Sequence, residues 1–177
     1  MKSKIEMKTA KKQLVFLCML LALFAFGAGQ ALAGSAHVTW NANSEGDLDG
    51  YKIYYDTASH SSATDPADDD YANSYDVTDN GVSHWFDALT PGQTYYFRLT
   101  AYDTSANESN YNATEVSKLI TYRGDINIDR AVDVSDLGII AGLFGQTIEH
   151  AADINRSGTV DVSDLSILAG EFGSSFE

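Results

Sequence analysis

Between residues 34 and 122 apolar and aromatic residues alternate with polar ones in short runs: Ala36, Val38 and Trp40; Tyr51, Ile53 and Tyr55; Trp85 and Phe86; Tyr95, Phe97, Leu99 and Ala101. A period of two sends successive side chains to opposite faces of an extended chain, so these runs predict half-buried strands. Turn residues at Asp49-Gly50, Asp79 to Gly81, Pro91-Gly92 and Thr104 to Asn107 separate them at intervals typical of a two-layer sandwich. Beyond residue 123 the period changes. Leu137, Ile140, Ala141 and Phe144 fall at i, i+3, i+4 and i+7, and Leu165, Leu168, Ala169 and Phe172 repeat that spacing 28 residues later. Each set predicts a short helix with one apolar face, with Ser135 and Ser163 as N-caps and Gly145 and Gly173 just past the C-caps.

A third pattern opens the chain. Lys2, Lys4, Lys8, Lys11 and Lys12 precede an unbroken apolar run from Leu14 to Ala28, and Ala31-Leu32-Ala33 follows it. Fifteen apolar residues are short of the roughly twenty that span a bilayer, and the small-residue pattern marks a cleavage site, so residues 1–33 read as a signal peptide. The mature chain, from residue 34, is then secreted and carries no membrane span. Its single cysteine, Cys18, leaves with the peptide. Core burial, rather than disulfides, must then stabilise the fold.

An acidic loop lies ahead of each predicted helix. The first runs from Asp125 through Asn127, Asp129, Arg130, Ala131 and Asp133 to Asp136; the second runs from Asp153 through Asn155, Ser157, Gly158, Thr159 and Asp161 to Asp164. Oxygen-bearing side chains occupy positions 1, 3, 5, 9 and 12 of both twelve-residue loops. Ca²⁺ takes six to eight oxygens, and this spacing folds them around one point, with position 7 adding its backbone carbonyl. Two copies in register predict two calcium sites. Unlike an ordinary EF-hand, the first loop has no amphipathic segment before it: Lys118 to Gly124 shows no apolar face at helical spacing.

A loop followed by one helix, duplicated, resembles the dockerin domain of cellulosome-type assemblies. The resemblance covers residues 123–177. It implies calcium ligands at Asp125, Asn127, Asp129, Ala131 (carbonyl), Asp133 and Asp136, and at Asp153, Asn155, Ser157, Thr159 (carbonyl), Asp161 and Asp164. It also implies docking onto a cohesin-like domain through Val134, Ser135, Ala141 and Gly142 in one copy and Val162, Ser163, Ala169 and Gly170 in the other. Many cellulosomal dockerins carry polar and basic residues there, whereas this face is small and apolar. The shared Val-Ser pair lets either helix lead, in two orientations related by the internal two-fold symmetry. Two further departures stand out: Arg130 replaces the usual Gly at position 6, and Ser157 an expected Asp at position 5. With four carboxylates against three, the first loop should bind calcium more tightly unless Arg130 strains its backbone.

The segment from Leu89 to Tyr102, with Trp40 on an early strand and Gly50 to Tyr55 on the next, resembles a fibronectin type III domain over residues 34–122. The two resemblances together imply an all-β immunoglobulin-like sandwich ahead of a small all-α dockerin-like domain of two calcium loop-helix repeats. The fibronectin type III resemblance implies a corner tyrosine at Tyr95 bonded back near Leu89, and Trp40 in the core beside Phe97 and Leu99. Too few residues precede Val38 for a full first strand, so the sandwich is expected to be a strand short or frayed at that edge.

The formal charge is −14, and loss of five lysines and one glutamate with the signal peptide takes it to −18. Nucleic acid is excluded as a partner on that balance. Asp68, Asp69 and Asp70 read as a solvated loop. His37, His60, His84 and His150 are scattered, with no zinc or triad spacing, so no enzyme is expected. Dockerin resemblance implies an adaptor associated with polysaccharide breakdown. The alternative is a calcium-stabilised carbohydrate- or surface-binding protein, with polysaccharide stacking on Tyr51, Tyr54, Tyr71, Tyr75, Tyr96, Tyr102 and Tyr111 of the sandwich.

Overall fold

Six antiparallel strands form, four of them on the runs that the two-residue alternation marks, while those at Asn73–Val77 and Val116–Leu119 carry no such run. The computed structural model describes residues 33–68 and 71–177; the predicted signal peptide through residue 32, and Asp69 and Asp70 of the acidic run, lie outside the described residues. Strand β1 (Gly34–Thr39) pairs with β4 (Ser83–Leu89). Opposite them β3 (Asn73–Val77), β2 (Leu48–Asp56), β5 (Thr94–Asp103) and β6 (Val116–Leu119) form a four-stranded sheet in the order β3-β2-β5-β6. Tyr51 and Ile53 of β2 point inward with Ala36, Val77, Phe86, Leu89, Phe97 and Ile120, and these residues are the first core.

Six strands among the described residues are one fewer than a seven-stranded immunoglobulin-type sandwich has. The first of them nevertheless begins at Gly34, earlier than the short approach to Val38 suggested. A Cβ built on Gly34 would lie 2.1 Å from Ile120 Cγ2 and 2.3 Å from the Thr121 carbonyl oxygen, so only glycine lets β1 start this close to the chain leaving the sandwich. Tyr95 accepts the Thr90 N–H at 3.4 Å and closes the expected corner. Trp40 sits at the margin of this core rather than at its centre; its ring meets Tyr51 edge-on, centroids 5.3 Å apart.

The tyrosines do not form a sugar platform. Tyr51, Tyr71 and Tyr111 are buried, and Tyr54 packs edge-on against Tyr111. Of the seven only Tyr75 is exposed, and its ring is stacked on His84. Tyr51 belongs to the core, and Tyr54 and Tyr71 are covered by the segment after β5, which carries Tyr111 and folds back over the outer face of the larger sheet. Glu108 accepts hydrogen bonds from Tyr54, Thr100 and Lys52, and Glu115 accepts from Ser59, Tyr71 and the His60 amide.

A second core begins as the first ends, between Ile120 and Tyr122: Ile126, Val132, Ile140, Ala152, Ile154, Val160 and Leu168. Two helices carry it, α1 (Val134–Leu143) and α2 (Val162–Glu171). Their C-terminal ends are as expected and their N-terminal ends are not. Gly145 and Gly173 follow the C-caps in the left-handed region at φ +79° and +85°. The N-caps, however, are Asp133 and Asp161, not the serines: each accepts the N–H of Ser135 or Ser163, and Asp136 or Asp164 closes a capping box. A carboxylate suits the positive helix N-terminus better than a hydroxyl.

The buried stripe is also rotated from the predicted one. Asp136 and Ile140 face inward on α1, and Asp164, Leu168 and Glu171 on α2, whereas Leu137, Phe144 and Phe172 are exposed. Each helix is turned by its own first residues, because the last carboxylate of the loop must point into the loop. Among the described residues no helix is long and apolar enough to cross a membrane.

Candidate metal centre and docking face

Each loop is organised by its first and last carboxylates. Asp136 is fully buried; its Oδ1 accepts the N–H groups of Ile126 and Asn127, and its Oδ2 accepts that of Asp133 at 2.9 Å. Asp164 does the same for Asn155 and Asp161. Position 12 therefore ties the start of its loop to the start of its helix. Asp125 accepts from the amides of Asp129 and Arg130, and Asp153 from those of Ser157 and Gly158, closing each turn through position 1.

Side-chain oxygens of positions 3 and 5 lie at this turn, joined in loop two by the position 7 carbonyl. In loop two the Ser157 hydroxyl lies 3.4 Å from Asp153 Oδ1 and 3.1 Å from the Thr159 carbonyl oxygen, while Asn155 Oδ1 accepts the Ser157 N–H. In loop one Asn127 Oδ1 accepts the Asp129 N–H, and the Asn127 amide reaches Asp129 Oδ2 at 2.8 Å. Among the described residues no three His, Cys, Asp or Glu side chains gather as a metal cage, so the converging set is a mixture of carboxylate, amide, hydroxyl and carbonyl oxygens. Asp133 and Asp161 stand apart from it as helix caps. Position 9 of such a loop commonly reaches its ion through water, which leaves the capping role intact.

Charge around loop one points the same way. Burial pushes the Asp125 carboxyl above its usual range against the N–H bonds of Arg130 and Asp129, and the negative charges of Asp136 and Asp129 add to the rise. An all-oxygen set with like charges crowded together fits a hard cation and does not fit a thiolate- or imidazole-seeking metal. When bound, such an ion would neutralise these carboxylates and cross-link loop to helix.

Backbone conformation distinguishes the loops. Position 6 is left-handed in both, at φ +77° for Arg130 and φ +89° for Gly158. Position 4 is left-handed too, at Ile128 and Arg156. Loop one thus holds two side-chain-bearing residues in a region that disfavours them, one of them β-branched.

All eight residues predicted to meet a partner, Val134, Ser135, Ala141, Gly142, Val162, Ser163, Ala169 and Gly170, lie exposed on the two helices. Val134 and Val162 are 70% and 66% exposed, and nothing lies within 4 Å of a Cβ built on Gly138, Gly142 or Gly170.

Three features escaped the sequence reading. The amide of Gly124 donates to the buried Glu171 carboxylate. Burial, opposed by the Gly124 bond, the Arg123 charge and the Arg123 amide, pushes the Glu171 carboxyl above its usual range. The guanidinium of Arg156 lies over the ring of Trp85 and pairs with Asp87. A cleft of about 920 Å³ runs between sandwich and repeat, lined by His37, Trp85, Tyr122, Asp125, Asp153 and Arg156 among others. The first two could have been flagged by comparing the copies, because Glu171 stands where the first copy has Leu143, and Arg156 where it has Ile128.

The fibronectin type III domain model matches residues 28–116, half of the chain, and the chain belongs to that family. Among solved structures it is similar to a type II cohesin-dockerin domain from Bacteroides cellolosolvens, with 40% identity over 30% of this chain and 87% of that one, at a TM-score of 0.29. It is also similar to the FN1-FN3 domains of chicken CNTN1, with 23% identity over 51% of this chain and 28% of that one, at a TM-score of 0.39. At those TM-scores neither likeness bears on function. No curated protein matches the chain.

Proposed function

We propose that this chain is a secreted, non-catalytic adaptor whose calcium-loaded repeat docks onto a cohesin-like domain in extracellular polysaccharide breakdown. The reading is carried by one observation: small and apolar residues that repeat in register are held exposed on both helices, while the acidic positions ahead of them fold into the loops. An apolar surface kept open by glycine and alanine suits close approach of a protein partner. Calcium holds the loops and so sets the two helices; the sandwich serves as spacer and support. A sugar-stacking role for the sandwich has less support, because its tyrosines are packed against one another and against the segment after β5.

Purified cohesin domains passed over the immobilised chain, with calcium and then with chelator, test this reading. Capture that requires calcium and is lost in the Val134→Asp/Val162→Asp double variant supports it. Capture indifferent to both, or none across cohesin classes, contradicts it.

A further inference from the structure

We infer that Arg156 makes the second loop a metal-responsive clamp, through which a cation bound in that loop fixes the repeat against the β1–β4 edge of the sandwich. The inference rests on the calcium reading of the loop and adds to it a target inside the same chain. Position 4 is not a predicted ligand. In loop one it is Ile128, 72% exposed. In loop two it is Arg156, whose guanidinium carbon lies 4.1 Å from the Trp85 ring centroid and whose Nη2 pairs with Asp87 two residues along β4. Trp85 is itself stacked on His37 of β1, centroids 4.3 Å apart and rings nearly parallel. The cation therefore meets a platform built from both strands of the smaller sheet.

Arg156 is placed there by the loop. Its backbone is left-handed at φ +60°, its N–H bonds to the Asp153 carbonyl, and it stands between Asn155 and Ser157, both predicted ligands. Drawing those two residues around an ion fixes the residue between them. Two other contacts join repeat to sandwich or to the segment between them: Arg123 donates to the Ile154 carbonyl at 2.7 Å, and Phe176 packs on Gly92 and Tyr122. Of the three, only the Arg156 contact sets a side chain of a metal loop on the sandwich itself; Ile154, also in loop two, offers its backbone carbonyl to Arg123 of the segment between. Its consequence is asymmetry: loop two is tied to the sandwich while the matching position of loop one is not, so the two copies of the Val-Ser pair are presented differently although their sequences agree.

The test uses residues 34–177, stripped of metal and titrated with Ca²⁺, with calorimetry and tryptophan emission read in parallel. Trp40→Phe leaves Trp85 as the reporter; if that variant fails to fold, the native pair is compared with Trp85→Phe. Emission from Trp85 should change as one calcium equivalent fills. Arg156→Ile, which copies loop one, should lose that change while two equivalents still bind and helix is still gained. An unchanged Trp85 signal in the native chain despite two bound equivalents, or a change that survives Arg156→Ile, overturns the clamp. A flat calorimetric trace overturns the calcium reading itself, and the clamp with it.

Discussion

Gly173, just past α2, donates its N–H to the carbonyl of Val132 in the first loop at 2.8 Å. The Val132 N–H returns a bond to the Ser174 carbonyl, and the mirror pair exists: Gly145 bonds to the Val160 carbonyl and the Val160 N–H to that of Gln146. Each loop is thus closed by the exit of the other helix. Both valines occupy loop position 8 and are fully buried.

Cross-linked loops should answer to metal together. Val160→Ala, at the heart of one bridge, is expected to cost about 2 kcal/mol of stability and to weaken calcium binding at both loops. Thermal unfolding and calcium titration check this; weakening confined to the second loop would show that the repeats act independently.

Arg130→Gly should stabilise loop one by about 1 kcal/mol, because its left-handed backbone suits glycine. Calcium titration of a chain with the second loop disabled should show tighter binding in the variant. Equal affinity would mean that Arg130 adopts its conformation without strain.

Asp136 satisfies three backbone N–H groups and Asp164 two. Alanine at either leaves those donors without their acceptor, at about 1–3 kcal/mol for a buried one such as the Ile126 N–H, so Asp136→Ala should be the more damaging. Chemical denaturation in chelator reads the difference without metal. Val134→Ala, on the exposed face, should change stability by no more than about 0.5 kcal/mol.

The sandwich should lose stability in acid through Glu108. Burial opposes its ionisation, but the bonds from Thr100, Tyr54 and Lys52 and the Lys52 charge outweigh it and hold the carboxyl below its ordinary 4.5. A carboxyl lowered in the folded state contributes stability that is complete above the unfolded value and is lost as pH falls through the folded one. The deficit of Glu108→Gln against the native chain should therefore be largest above about pH 4.5 and shrink below it. A deficit independent of pH would assign Glu108 a packing role alone.

Much of this was legible because period decides face. Tyr51 and Ile53 sit inward as their alternation predicts, and the loops were written in oxygen spacing. The helix stripe was misread because Asp136 and Asp164, polar by composition, are buried by the needs of the loop, which turns Leu137 and Phe144 outward. Asp133 and Asp161 serve both as loop position 9 and as helix caps, a double use that residue type alone does not reveal. Strand alternation cannot show that the segment after β5 folds over Tyr54 and Tyr71. Glu171 and Arg156 had a signal, the mismatch between copies, but their partners Gly124 and Trp85 are set by tertiary packing.

The duplicated loops should bind calcium and thereby build the docking face. Calorimetric titration of metal-stripped residues 34–177 with Ca²⁺, with far-ultraviolet circular dichroism at each end point, decides whether they do. Two equivalents bound with a gain of helix are expected. No uptake, or uptake without helix gain, would contradict this.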